Sequence, residues 1–191
     1  VTVTVGPFAS TVRQVGLGQS IQDVIDISQN GDLVLVPPGN YNESVIMWKD
    51  IQLQGWGAPS TIINAVKAPG ESIQQWRQDA EFLINNDLID ILPGQEVGFD
   101  PANNEPDFLT TSEAPGIMVF AKQVDPLPAF DPRIDGFTLT GSDIGGGIVV
   151  NAYANDLTVS NNRIQNNAGI YSGGIGVGHL GTADGPEDAH N

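Results

Sequence analysis

Cysteine is absent, so neither a disulfide framework nor a thiolate metal site can form, and the redox compartment leaves no mark on the sequence. Bases are scarce: 7 Lys and Arg stand against 23 Asp and Glu, a formal net charge of −16 over 191 residues. Such a surface repels nucleic acid, anionic membranes and polyuronates unless cations intervene. DNA and RNA are therefore not expected partners. No apolar run approaches the ~20 residues that span a bilayer, so membrane insertion is not expected either. The chain opens on VTVTVGPF, alternating like a strand, with no basic region leading into an apolar one; a signal peptide is read as absent or already removed.

What is present points to turns. The chain has 23 Gly and 13 Pro with 40% apolar residues, enough for one domain rich in short elements. Ser20 to Ala65 holds one amphipathic helix and then short β-rich runs broken by Gly, Pro and Asn, with no helix between them. These runs return at intervals of roughly 20 residues, the spacing of a stacked coil in which each turn adds a rung. Ser20 is placed to cap the helix, and Ile21, Val24, Ile25 and Ile27 put apolar side chains largely on one face. Asn30-Gly31 ends it. A helix this short is marginal alone and needs a surface to cover, for which the open end of a β-coil is suited.

Between Val66 and Pro132 the rhythm lapses, and the segment holds 8 of the 13 prolines and 12 of the 23 acids. It reads as an acidic insertion. Ser72 to Ile84 has helical spacing, with Ser72 and Gln75 matching a capping box and Ile73, Trp76, Ala80 and Leu83 forming a face. Leu92 to Pro115 reads as irregular loop. The coil resumes at Gly116 to Ala121 and continues from Arg133. Phe137-Thr138-Leu139 and Leu157-Thr158-Val159 share an apolar-Thr-apolar form 20 positions apart, which predicts one rung. Asn161-Asn162 and Asn166-Asn167 suit left-handed turns and ladders of stacked amides. The final GTADGPEDAHN reads as a loop with no capping element, an open end for further rungs or another chain.

The order of elements resembles the start of a right-handed parallel β-helix of the pectate-lyase-like superfamily. The pieces are the helix Ile21 to Ser28, the strand Leu33 to Val36, the turn Pro38-Gly39-Asn40-Tyr41, strands at Val45 to Trp48 and Ile51 to Gln54, the Gly55-Trp56-Gly57 corner and Thr61 to Asn64. The fold expected is all-β: a single right-handed parallel β-helix (solenoid) over 1–191, with an N-terminal strand and capping helix (1–31), first rungs (32–65), an inserted loop and helix segment (66–132) and later rungs (133–191). Localisation outside the cell or at its surface follows from the resemblance, as does polysaccharide as a partner class.

Enzymes of that superfamily cleave acidic polysaccharides with carboxylates that hold Ca²⁺ and an Arg or Lys that takes the proton, or with paired Asp acting as acid and base. Abstracting a proton beside a uronate requires positive charge for the developing anion. Few bases are available here. Gly178-His179-Leu180 half matches the hydrolase branch's Gly-His-Gly; Arg133-Ile134-Asp135 and Arg163-Ile164-Gln165 fail its Arg-Ile-Lys, and no Asp-Asp pair occurs. The catalytic candidates are His179, Arg163, Asp184 and Asp188. His179 and His190, near Asp184, Glu187 and Asp188, form a possible acid-base or metal cluster, and the plainer reading is two solvated loop histidines. Asp135, Asp143 and Asp156 recur near strand starts and are candidate Ca²⁺ ligands, or else turn residues bonding their own backbone. Trp48, Trp56, Trp76, Tyr41, Tyr153 and Tyr171 are candidate sugar-stacking aromatics, Trp56 first among them; for Trp48 the plainer reading is core packing beneath the helix. Asn42-Glu43-Ser44 is a formal glycosylation sequon. Gly145-Gly146-Gly147 lacks the Lys and helix of a phosphate loop and reads as a turn.

The function expected is a noncatalytic extracellular β-helix module, a structural or carbohydrate-contacting scaffold of a larger cell-surface or secreted protein. The alternatives are a polysaccharide lyase or glycoside hydrolase, with or without Ca²⁺, and a self-assembling surface or filament subunit.

Overall fold

The computed structural model describes residues 11–66, 70–92, 95, 114–123, 131–151, 153–169 and 172–178. They form thirteen short strands and two helices in the order β1 (Val12–Gln14), α1 (Ile21–Ile27), β2 (Leu33–Val36), β3 (Gly39–Tyr41), β4 (Val45–Met47), β5 (Gln52–Gly55), β6 (Thr61–Asn64), α2 (Glu71–Asn85), β7 (Ile117–Val119), β8 (Arg133–Asp135), β9 (Thr138–Thr140), β10 (Ile148–Val150), β11 (Thr158–Ser160), β12 (Arg163–Ile164) and β13 (Ile175–Val177). Every strand pairs in parallel. Three sheets result, ordered β1-β2-β5-β8-β11, β3-β6-β9-β12 and β4-β7-β10-β13. The chain passes through the three sheets in turn and returns one strand further along each, an arrangement compatible with a parallel β-solenoid.

Register explains the core. Val34, Leu53, Ile134 and Val159 face one another along the first sheet, Ile63, Leu139 and Ile164 along the second, and Val45, Ile117, Ile148 and Ile175 along the third. Like aliphatic side chains thus stack at the ~4.8 Å strand spacing; all but Ile175 belong to one core cluster, with Val159 and Ile164 partly buried at its margin. A second cluster lies outside the third sheet. There Ile46 and Met118 pack with Trp76, Ala80 and Leu83 of α2 and with Phe120, so the helix expected in the insertion covers a sheet face.

The expected 20-residue register is corrected. Arg133 pairs with Thr158, 25 positions on, and Leu33 with Gln52, 19 positions on. Leu139 stands on Ile164 and Val159 on Ile134, so Phe137-Thr138-Leu139 and Leu157-Thr158-Val159 lie in different sheets. Their likeness reflects the common in-and-out pattern of strands facing one core, which is shared between sheets as well as between rungs.

Three local expectations also change. Ile27 is exposed rather than on the buried face of α1. Residues 39–41 of the Pro-Gly-Asn-Tyr segment form a strand paired with β6. Gly70, not Ser72, is the N-cap of α2, with no side-chain cap; Gln75 instead donates to Asp79 one turn along (2.8 Å). Asn161 and Asn166 do adopt left-handed φ of 53° and 55°. The neighbouring Asn162 and Asn167 bridge to backbone rather than stacking amide on amide. Each donates to a carbonyl of the preceding rung, Ile134 or Leu139 (both 2.9 Å), and accepts from an amide there, Phe137 or Ser142 (2.9 and 3.1 Å).

Helix α1 begins in the expected place. Ser20 accepts from the Asp23 amide (3.0 Å), and Asp23 accepts in return from the Ser20 amide, a full capping box. The Glu43 carboxylate accepts from the Ile21 and Gln22 amides (2.9 and 3.2 Å), filling the remaining donors at the positive helix end. At the other end Lys49 Nζ donates to the carbonyls of Ile25, Asp26 and Ser28 (3.1, 2.6 and 2.7 Å). Gln22 meets the outer edge of β4 as a strand would: its side chain accepts from the Ile46 amide (2.7 Å) and donates to the Ile46 carbonyl (3.2 Å).

Candidate functional site

Between α1 and α2 runs a groove whose narrow part, about 260 Å³, is lined by Gln22, Asp26, Trp48, Asp79, Phe82, Leu83 and Leu88. It opens into a wider space of about 580 Å³ that shares Gln22, Asp26 and Asp79 and adds Asp23, Glu43, Ser44, Gln75 and Trp76 among others. The helices fix its walls. On α1, Gln22 donates to Asp26 one turn on (2.9 Å), and on α2 Gln75 does the same for Asp79 (2.8 Å), so each wall carries an amide-carboxylate pair at i, i+4 spacing. Trp48 follows β4 and donates its indole N–H to Asp26 (3.0 Å), while the Lys49 ammonium sits 4.1 Å from its ring centroid. Phe82 is 59% exposed although it stands on a helix that packs well elsewhere.

The electrostatics are one-sided. Asp23, Asp26, Glu43 and Asp79 line the groove, and none of its described lining residues is Lys, Arg or His. Burial raises the Asp79 carboxyl above its ordinary value; the Gln75 hydrogen bond pulls it back, and the charge of Asp26 pushes in the same direction as burial. Burial likewise raises Glu43, the two helix amides opposing it and Asp23 adding to it. Lys49 is lowered, chiefly by burial, with Asp26 and Asp32 opposing and Arg13 reinforcing.

Of the candidates named from sequence, Trp56, Tyr153, Arg163, Asp135, Asp143 and Asp156 are described and lie outside the groove. Trp56 is exposed at the corner between β5 and β6, its backbone amide bonded to the Val36 carbonyl (3.2 Å). Tyr153 is half-buried against the core at a left-handed φ of 55°. Arg163 opens β12. Asp135 ends β8 and accepts from Ser160 Oγ (2.7 Å) and Asn161 Nδ2 (3.0 Å). Asp143 lies in the corner between β9 and β10, and Asp156, at φ 59°, in the one between β10 and β11. The three acids therefore occupy three different corners, and among the described residues no three His, Asp or Glu side chains gather as a metal site. Tyr171, His179, Asp184, Asp188 and His190 lie outside the described residues.

Trp48, offered from sequence both as a sugar-stacking aromatic and as a core residue, stands half-buried, packed against both clusters and forming a wall of the groove. Asp26, Asp79 and Phe82 had no role assigned from sequence. The signal that marks them is the Gln-x-x-x-Asp spacing in both helices, at 22–26 and 75–79. Searched against protein-family models, curated proteins and solved structures, the chain matches none of them. The functional reading therefore rests on the groove.

Proposed function

We propose that this chain is a noncatalytic extracellular module: a rigid β-helix of the pectate-lyase-like kind that holds a carbohydrate-contacting groove on its flank. In this reading the coil is right-handed, in keeping with the general hand of connections between parallel strands, and α1 caps its N-terminal end. The Gln22 bonds to the edge of β4 support that capping role.

The observation that carries the reading is the composition of the groove. An aromatic wall from Trp48 and Phe82 stands beside two amide-carboxylate pairs, which offer both donors and acceptors. A sugar ring has an apolar face for the first and hydroxyls for the second. The rungs beneath are held by stacked aliphatics and backbone ladders, so the walls have a stiff base.

Titration calorimetry with short neutral and charged oligosaccharides tests this. Binding that Phe82→Ala weakens at least tenfold supports the module. Binding that is indifferent to Phe82 and lost with Trp56→Ala moves the contact to the β5–β6 corner. Release of reducing ends or unsaturated products from any of these glycans, with or without Ca²⁺, overturns the noncatalytic reading in favour of a lyase or hydrolase.

A further inference from the structure

We infer that the groove between α1 and α2 selects an amine-bearing sugar, of the glucosamine type, over neutral and uronate sugars. This rests on the carbohydrate reading and adds a charge to it. The two walls each bring one carboxylate, Asp26 and Asp79, to the same narrow space, and no described lining residue supplies a positive charge there. The two are not equivalent. Asp26 accepts from Gln22 and from Trp48 and lies close enough to Lys49 to raise that lysine's proton affinity, so its charge is largely answered within the protein. Asp79 accepts one hydrogen bond among the described residues, from the neutral amide of Gln75.

An ammonium group beside Asp79 would supply the missing countercharge in a half-desolvated place, where a charge-assisted hydrogen bond is strongest. A uronate would bring a third carboxylate against Asp26 and Asp79 and be repelled. The apolar side of the same space distinguishes a sugar ring from a bare cation. Phe82 and Leu88 are both exposed at its rim, and Trp48 closes it, so a flat ring covers apolar surface that a linear amine leaves wet. At about 260 Å³ the narrow part falls just under the ~300–1,000 Å³ of clefts that take larger ligands, which fits one ring, and the wider space beyond has room for its neighbours.

The test uses the whole chain and four probes at equal concentration: a glucosamine trimer, its N-acetylated counterpart, a trigalacturonate and a linear diamine. The trimer with free amines is expected to bind at least tenfold more tightly than the other three. Asp79→Asn is expected to abolish that preference, so that the free-amine trimer binds the variant no more tightly than the acetylated trimer does. Glu81→Gln, which removes one charge from the same helix outside the groove, controls for the attraction of any cation to a chain of net charge −16. Equal losses in the two variants, or a diamine that binds as well as the trimer, overturn the inference in favour of general charge attraction. Equal binding of free and acetylated trimers overturns the charge selection and leaves the carbohydrate module standing. No binding by any sugar defeats both readings.

Discussion

Asp32 is 1% exposed and carries a charge. Its Oδ2 accepts from Arg13 Nε (2.6 Å) and from the Gln29 amide (3.0 Å), tying β1 to the turn that follows α1. Burial alone would raise its pKa, but the Gln29 bond, and then the bond and charge of Arg13, outweigh it and leave the group lowered. Removing Arg13 strands a buried carboxylate. Because Arg13 itself keeps contact with water, Arg13→Ala is expected to cost about 2–3 kcal/mol, below the ~3–5 of a fully buried pair, in a denaturant titration at neutral pH. A loss under about 0.5 kcal/mol would show the bridge to be incidental.

Three half-buried acids have the opposite sign. Glu43, Asp50 and Asp79 are all raised, with burial the leading cause in each. A raised acid holds its proton more tightly in the folded state, so it favours folding fully below the unfolded carboxylate value and loses that contribution as pH rises through the folded one. Asp32 favours folding above the unfolded value and loses its contribution as pH falls through its lower folded value. Melting temperature should therefore climb as pH drops from neutral toward the ordinary carboxylate range and fall again below it. A steady decline from neutrality downward would contradict the burial of the first three.

At the scale of elements, glycines at one corner set how closely strands approach. Gly116, Gly147 and Gly174 each stand directly before a strand of the third sheet, and the Ile117 amide bonds to the Gly147 carbonyl (2.9 Å). A Cβ on Gly116 would come within 2.7 Å of that carbonyl oxygen and 3.1 Å of Leu139 Cδ2, whereas one on Gly174 meets nothing within 4 Å. Gly116→Ala should cost about 2–3 kcal/mol through overpacking, and Gly174→Ala close to nothing. Equal effects in thermal melts would mean that the strands are not stacked in this register.

The same corner shows what was legible beforehand. Gly-Ile-x-Val recurs at 116–119, 147–150 and 174–177, a true rung-to-rung repeat that follows one sheet. The 20-residue match between 137 and 157 compared two sheets instead, because strands facing one core carry the same alternation. Helix α1 was readable from Ser20 and its periodic apolar residues, since capping is a local matter. The groove was not. Its walls come from α1 and α2, some fifty residues apart in the chain, and their facing depends on α2 lying over Ile46 and Met118. Only the repeated Gln-x-x-x-Asp spacing gave a local hint.

The whole molecule carries a net charge of −16, and most of it has no base to face. Self-repulsion on that scale opposes the compact state and is screened by salt, whose Debye length shrinks from ~10 Å at 0.1 M to ~3 Å at 1 M. Melting temperature should rise by several degrees between about 0.05 and about 1 M NaCl. A fall over that range would indicate that ion pairs near the surface, such as half-exposed Lys122 with Asp90, contribute more than repulsion does.

The stacked columns also have a direction. Ile117 and Ile148 are fully buried while Ile175, on the next rung of the same column, is 46% exposed, and Val177 is 62% exposed where Val119 and Val150 are covered. In an array whose units touch only their neighbours, cohesion at each step depends on what lies on either side. Amide hydrogens of β7, paired with strands on both sides, should therefore exchange more slowly than the Ile46 N–H at the edge of the same sheet, which a single glutamine side chain holds shut.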